Sequence, residues 1–590
     1  MKLRNIITIS LAATLALSSC SDDFLENKPQ GPLSEGNMND PSAVDLLVNG
    51  AYATFGCRYA DSNDPHWFPL TNWSYGEVRA DNAYKGGGGE TDAWEIHDME
   101  TAKVQPNNGF LDGKWFNVYC GISRCNSAIR ALRKVDANVI KEKDVRIAEV
   151  RVIRDHWYFE LVRHFNRIPY MDIDLPENAY TSVRNDEFTR EQHLDRIAND
   201  LIEAANDLPD TQDEIGRINR RIALAYAAKV RLYQAYREDT ETNAVVEIDK
   251  KLLGEVVELI DKVDGYDLLD DFQKLDMLEY ENGPESVFAV QFSKDDGSGS
   301  VGRINWSMLL NSMTGPGCPW QGDGFFLPSQ DLINAYQTDA DGLPMFDYQS
   351  HPDYGTVEFD ANGGYKLANV DGNVDPRLDF VTGRPTIRYK TYTGSACGLW
   401  VRNSDTYGYN NTKRFWLSPE SKDATQGWPW GASALNWQII RYADLLLYKA
   451  EALIEIGGER LEEARQLINR VRRRAMNSAY VKDFNDPSKD AAHYKIALYP
   501  TEGWTQDYAR KALRTEMRLE KAMEGERFFD LVRWGIAKET MNRYFEAEKD
   551  TRIYYKEATF DTGEEYCPVP VAQYNFSGGI YVQNPGYPSF

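Results

Sequence analysis

The sequence predicts a mainly α-helical protein: a superhelix of tetratricopeptide-like helix pairs that carries long, irregular, loop-rich insertions and a few short strands. Three observations carry this expectation. Apolar residues recur at helical spacing through much of the first and last parts of the chain. The helical segments come in adjacent pairs, most clearly Arg441–Ala452 and Leu461–Ala475 about a Gly457-Gly458 break, together spanning roughly one 34-residue repeat. Between about 266 and 436 the pattern gives way to glycine, asparagine, aspartate and aromatic residues, as loops do.

Residues 1–19 read as a signal peptide that is removed, because Lys2 and Arg4 precede an apolar stretch, Ile6 to Leu17, too short to span a bilayer. The segment closes on Leu17-Ser18-Ser19-Cys20, the arrangement a lipoprotein signal peptidase recognises, and Cys20 is the expected lipidation site. An ordinary secreted domain with a stray cysteine is the plainer alternative. Residues 20–37, polar and holding Pro29, Gly31, Pro32 and Gly36, read as the lipidated tether. No later stretch is apolar enough to cross, so the chain is expected to be anchored to a membrane without spanning it. Ser21 and the acidic residues behind it resemble surface-export tethers of some Gram-negative lipoproteins, which favours the outer membrane, facing outward.

Residues 38–265 form the N-terminal helical part. Asp40 before Pro41 reads as an N-cap with proline at the first helical position, followed by Val44, Leu47, Val48, Ala51, Tyr52 and Phe55 on one face and Gly56 as a stop. Further helices are expected near 110–134, 141–167, 188–207, 218–237 and 250–263. Residues 266–436 form a loop-rich aromatic insertion with a strand-like run from Ser286 to Phe292. Residues 437–590 return to helices, near 437–456, 459–476 and 508–534, where Ala443, Ala450 and Ala464 allow close helix packing. Glu516, Glu520 and Glu524, four apart with arginines interleaved, read as a salt-bridged ladder.

A formal charge of −25 disfavours phosphate-backbone contacts, so nucleic acid is not an expected partner. The same acidity suits a neutral, hydroxyl-rich ligand or a protein. After Cys20 the cysteines are Cys57, Cys120, Cys125, Cys318, Cys397 and Cys567, an even number in a compartment that permits disulfides. Cys120 and Cys125, five apart on one helix, point to different faces, which disfavours a mutual bridge. HExxH, GxSxG, GxxxxGK[ST] and zinc-type cysteine pairs are all missing, and His156 and His164 fall on a packed helix, so no enzyme activity is expected. A surface glycoside hydrolase stays an alternative, since a carboxylate pair is set by three-dimensional separation. No cofactor is expected; aspartate-rich turns are compatible with calcium, but no EF-hand-like spacing supports it.

The stretch Arg514-Thr515-Glu516-Met517-Arg518-Leu519-Glu520-Lys521-Ala522-Met523-Glu524-Gly525-Glu526-Arg527-Phe528-Phe529-Asp530-Leu531-Val532-Arg533-Trp534-Gly535 resembles the signature of the SusD/RagB outer-membrane lipoproteins. The start Cys20 to Gly31, the helix Arg441 to Ala452 and the ending Gln583-Asn584-Pro585-Gly586-Tyr587 agree with it, so the resemblance runs end to end. It implies a surface glycan-binding protein that caps a SusC-like TonB-dependent transporter and passes captured polysaccharide or oligosaccharide into it. Lys521 departs from the family pattern by standing in an apolar slot, which reads as drift on a partly exposed face. A peptide-binding RagB-like uptake protein is the alternative of a different class.

Of the 14 tryptophans, Trp67, Trp73, Trp94, Trp306, Trp320, Trp400, Trp416, Trp428 and Trp430 fall in expected loops. A flat ring covers the C–H face of a sugar while polar groups bond its rim, so loop tryptophans are candidate stacking platforms, although loops also use them for small cores of their own. The expected ligand residues are Trp67, Trp73, Tyr75, Tyr84 and Trp94 from the first aromatic loop, with Arg79, Asp81 and Asn82 beside them. Trp320, Asp323 and Phe325 join them from the insertion, and Gly86 to Gly89 are expected to let the first loop adapt.

Overall fold

The computed structural model describes residues 40–56, 70–298 and 302–590. The signal peptide, Cys20, the tether, Cys57 and Trp67 lie outside the described residues. The chain is mainly helical, and the strands of the described residues pair only two by two.

Helix α1 (Pro41–Tyr52) begins as its sequence dictates, with the Asp40 carboxylate accepting the Ser42 N–H at 2.9 Å and Val44, Val48 and Ala51 facing inward. After α2 (Trp94–Glu100), eight helices make the superhelix: α3 (Gly109–Arg133), α4 (Lys143–Phe165), α5 (Arg190–Asp207), α6 (Arg220–Ala235), α7 (Lys250–Ile260), α8 (Tyr442–Ile456), α9 (Arg460–Asn477) and α10 (Gln506–Glu520). Each packs on the next, including α7 on α8 across the span that contains the insertion, so the insertion interrupts one helix pair without breaking the stack. Local sequence sets the starts: Asn108 caps α3, and Thr189 with Gln192 forms a capping box on α5. Ala443, Ala450 and Ala464 are fully buried where α8 meets α9.

Two expected helices differ from their periodicity. Residues 437–441 form a strand, Trp437–Arg441, which pairs antiparallel with Ser286–Val290 and ties the insertion to the start of α8. The stretch 508–534 divides into α10 and α11 (Arg527–Arg533), because Met523 and Gly525 take positive φ of 67° and 80° and turn the chain. No helix among the described residues is long and apolar enough to cross a membrane. Cys120, Cys125, Cys318, Cys397 and Cys567 are free thiols, and Cys125, Cys397 and Cys567 are buried.

The carboxylate ladder is buried, and its arginines come mostly from elsewhere in the chain. Glu516 accepts Arg377 at 2.7 Å and Arg472 at 2.8 Å; Glu520 accepts Arg441 at 2.7 Å and also Arg474; Glu524 accepts Arg414 at 2.8 Å. Arg377 and Arg414 belong to the insertion, so the ladder clamps it to the superhelix. Lys521 is not on an exposed face: it is buried, 3.0 Å from Asp444 and 3.2 Å from the Tyr448 hydroxyl.

Burial raises the carboxyl of Glu520, but Arg474, Arg441 and Arg377 outweigh it and hold it down to about 2. Glu526 is likewise held to about 2, burial being overcome by Arg163, Lys229 and Lys521. Both lie below the unfolded value, so their contribution is complete above the ordinary glutamate range and is lost as pH falls toward 2. Thermal melts from pH 6 down to about pH 2 are expected to show a falling melting temperature below about pH 4.5. A melting temperature that stays flat through that window would contradict the ion-pair assignment.

Candidate functional site

The first aromatic loop turns inward. Trp73–Val78 is a single π-helical turn whose residues are all buried. Trp73 packs on Phe325 and Phe326, Tyr75 donates its hydroxyl to the Phe110 carbonyl at 2.9 Å, and Tyr84 donates to Glu548 at 2.8 Å. Arg79 lies 4.2 Å over the Phe528 ring, and Asp81 accepts hydrogen bonds from Nε and Nη2 of Arg527 at 2.8 and 2.9 Å. Burial raises the Asp81 carboxyl, but Arg518 and Arg527 hold it well below the usual carboxylate range. Asn82 donates to Glu77 and accepts from Arg518, each at 2.8 Å. Trp320 and Phe325 are also buried, Trp320 against Trp416 at 5.5 Å.

These positions correct the expectation for Trp73, Tyr75, Arg79, Asp81, Asn82, Tyr84, Trp320 and Phe325. A ring with no exposed face stacks on protein, and a carboxylate or guanidinium whose hydrogen bonds are spent inside has none for a hydroxyl. The glycines correct it too. Strand Ala83–Gly86 pairs with Phe325–Pro328, and a Cβ on Gly86 would lie 2.5 Å from the Gly324 oxygen, so the glycine permits a close crossing and not an adaptable loop.

What holds this loop is the C-terminal signature. Glu77 accepts the N–H groups of Gly525 at 2.7 Å, Glu526 at 3.1 Å and Met523 at 3.3 Å. Gly76 and Gly525 cross so closely that a Cβ on either would overlap a backbone carbonyl of the other segment. The signature is therefore a clamp on the loop that bears α2.

Two tryptophans are displayed on this rigid base. Trp94, 47% exposed, opens α2, whose Ile96, Met99 and Glu100 face inward. Its loop is pinned by Gly88 N–H to Asp92 at 2.7 Å, by the Lys85 ammonium to the Gly89 carbonyl at 2.7 Å, and by Asn403 to the Gly88 carbonyl at 3.2 Å. Arg402 bridges Asp92 at 3.2 Å and the Asp323 carbonyl at 3.3 Å while staying partly exposed. Of the expected ligand residues, Trp94 and Asp323 thus belong to one surface, and Arg402, Asn403 and Asp92 join them.

Trp428, 66% exposed, stands on the loop Thr425–Ala432, which closes on itself through Thr425 N–H to Ala432 and Gly431 N–H to Thr425. Its ring is 5.7 Å from buried Trp306, and Trp430 is partly buried. Gly431, at φ 71°, rests on the face of Trp320, so that buried ring supports the loop that displays Trp428. The segment 312–325 links the two displays, since Trp320 supports the Trp428 loop and the Gly324 carbonyl accepts the Gly87 N–H at 2.8 Å. Trp428 and Trp430 lie in an uncharged Gly-Trp-Pro-Trp-Gly run, the signal in the sequence that marks an exposed platform.

The large apolar concavity between α3 and the helix Val571–Phe576, about 360 Å³, suits a sugar less well. Tyr119 donates to Pro169, Gln573 to Asp112 and Asn126 to Met171, so several of its polar groups are engaged internally. His156 and His164 are buried; burial lowers His156 to about 3, leaving it neutral and bonded to the Tyr226 hydroxyl.

The sequence model of the SusD family matches residues 284–587, and one described as "Starch-binding associating with outer membrane" matches residues 23–232. The SusD-like protein P2 of Formosa agariphila is 24% identical over the whole of both chains. A SusD-like protein of Bacteroides fragilis superposes with a TM-score of 0.67 at 21% identity, covering 95% of this chain and 100% of its own. The surface glycan-binding protein A of Bacteroides thetaiotaomicron, solved in complex with laminarihexaose, superposes with a TM-score of 0.60 at 19% identity, covering 92% and 99%.

Proposed function

We propose, from the premise that this chain belongs to the SusD family, that it is a non-catalytic, cell-surface glycan-binding lipoprotein. It captures polysaccharide or oligosaccharide and delivers it to a SusC-like TonB-dependent transporter in the outer membrane. The observation that carries the reading is that Trp94 and Trp428 are the exposed tryptophans among the described residues. Arg402, Asn403, Asp92 and Asp323 supply hydrogen-bonding groups beside Trp94. The laminarihexaose complex of the Bacteroides thetaiotaomicron relative and the starch-binding family description support the ligand class.

Native gels that each contain one polysaccharide test the reading. At least one plant, microbial or host glycan is expected to retard the protein, and uniform mobility on all of them would refute it. The lipid anchor is tested separately: Cys20→Ala is expected to move the protein from the membrane fraction to the soluble fraction, and retention in the membrane would contradict lipidation at Cys20.

A further inference from the structure

Resting on that glycan-binding reading, we infer that the ligand is an uncharged glycan and that this surface rejects uronate- and sulfate-bearing polymers. Acidic residues flank Trp94 along the chain. Glu90 and Asp92 precede it on the pinned loop, Glu95 follows it, and Asp98 lies one helical turn on, on the same side of α2. Asp323 comes in from the insertion. Two cations face these groups: Arg402, whose guanidinium is paired with Asp92 at 3.2 Å, and the exposed Lys103, whose charge acts on Asp98. The ammonium of Lys85 is turned to the Gly89 and Asp92 carbonyls, and His97 sits between Glu90 and Glu100. Beneath, the buried Tyr407 hydroxyl has no hydrogen-bond partner among the described residues, and it too faces the charges of Glu100, Glu90 and Asp92.

The loop that bears Trp428 carries no cation itself, and the nearest in sequence, the exposed Lys422, stands beside Asp423. From Thr425 to Asn436 the chain has no charged residue, in a protein where 27% of residues are charged. Arg303, on the hairpin that leads to Trp306, is paired with Asp296. A sulfate or carboxylate docked here would lose water and gain no free guanidinium, while meeting several carboxylates within a Debye length. A neutral sugar meets the opposite situation: its hydroxyl hydrogens find carboxylate acceptors, and its C–H face finds the indole.

The test uses native gels with laminarin, xyloglucan and galactomannan as neutral probes and polygalacturonate, alginate and chondroitin sulfate as anionic ones, run on the native protein and on a Trp94→Ala/Trp428→Ala variant. Retardation is expected on a neutral probe alone, abolished in the variant, and changed by less than about twofold between low and high salt. Retardation on an anionic probe that the double variant abolishes would overturn the inference and leave glycan binding standing. Unchanged mobility on all six would overturn the glycan-binding reading itself, and this inference with it.

Discussion

Gly525→Ala is expected to destabilise the protein by more than about 3 kcal/mol. The reason is geometric. Gly525 has φ of 80°, a conformation that a Cβ disfavours, and the added carbon would overlap the carbonyl oxygen of Thr71, which is backbone and has no rotamer by which to yield. Gly76, facing it, meets the Gly525 carbonyl in the same way. The loop behind them holds Glu77, Asp81 and Asn82 in their bonds to α10, α11 and the turn between them, so separation would release several buried charges together. Gly254 on α7 supplies the contrast: a Cβ there meets nothing within 4 Å, and Gly254→Ala is expected to gain up to about 1 kcal/mol from helix propensity. Calorimetric melts of the two variants check both signs, and a Gly525→Ala protein that melts like the native one would show that the crossing tolerates a side chain.

The second large effect separates displayed from buried tryptophans. Trp73→Ala and Trp320→Ala are each expected to lower stability by about 3–5 kcal/mol, because each empties a filled site in the core. Trp94→Ala and Trp428→Ala are expected to leave the melting temperature unchanged and, combined, to weaken glycan binding by about 30-fold, or ~2 kcal/mol. Trp320 supports the loop that displays Trp428, so Trp320→Ala is expected to weaken binding as well, but with a loss of stability that Trp428→Ala lacks. Melts and titrations on the same four variants distinguish the two classes.

Much of the fold was legible because helices announce themselves. Asp40-Pro41, Thr189 with Gln192, and the small residues of α8 and α9 gave starts and contacts that depend on neighbours close in sequence. The breaks were harder. The turn at Met523 and Gly525 is imposed by a segment some 450 residues earlier, and the strand at Trp437–Arg441 exists because Ser286–Val290 lies beside it. The site was only partly legible for the same reason. An aromatic residue in a glycine-rich stretch fills a local core or faces solvent according to what packs on it, and the partners of Trp73, Tyr84 and Asp81 come from the insertion and from α11 and its neighbours. Trp94 is the one expected stacking ring of the described residues that is exposed. Trp428, more exposed, lies outside the expected ligand residues, although the uncharged run from Thr425 to Asn436 marks it in the sequence.

The two displayed rings are tested by a calorimetric titration of the glycan that retards the protein, run on the protein lacking residues 1–20 and on its Trp94→Ala/Trp428→Ala variant. The variant is expected to melt like the native protein and to bind about 30-fold more weakly. Equal affinity in the two proteins would place the glycan elsewhere on the molecule and contradict the assignment of the two displayed rings.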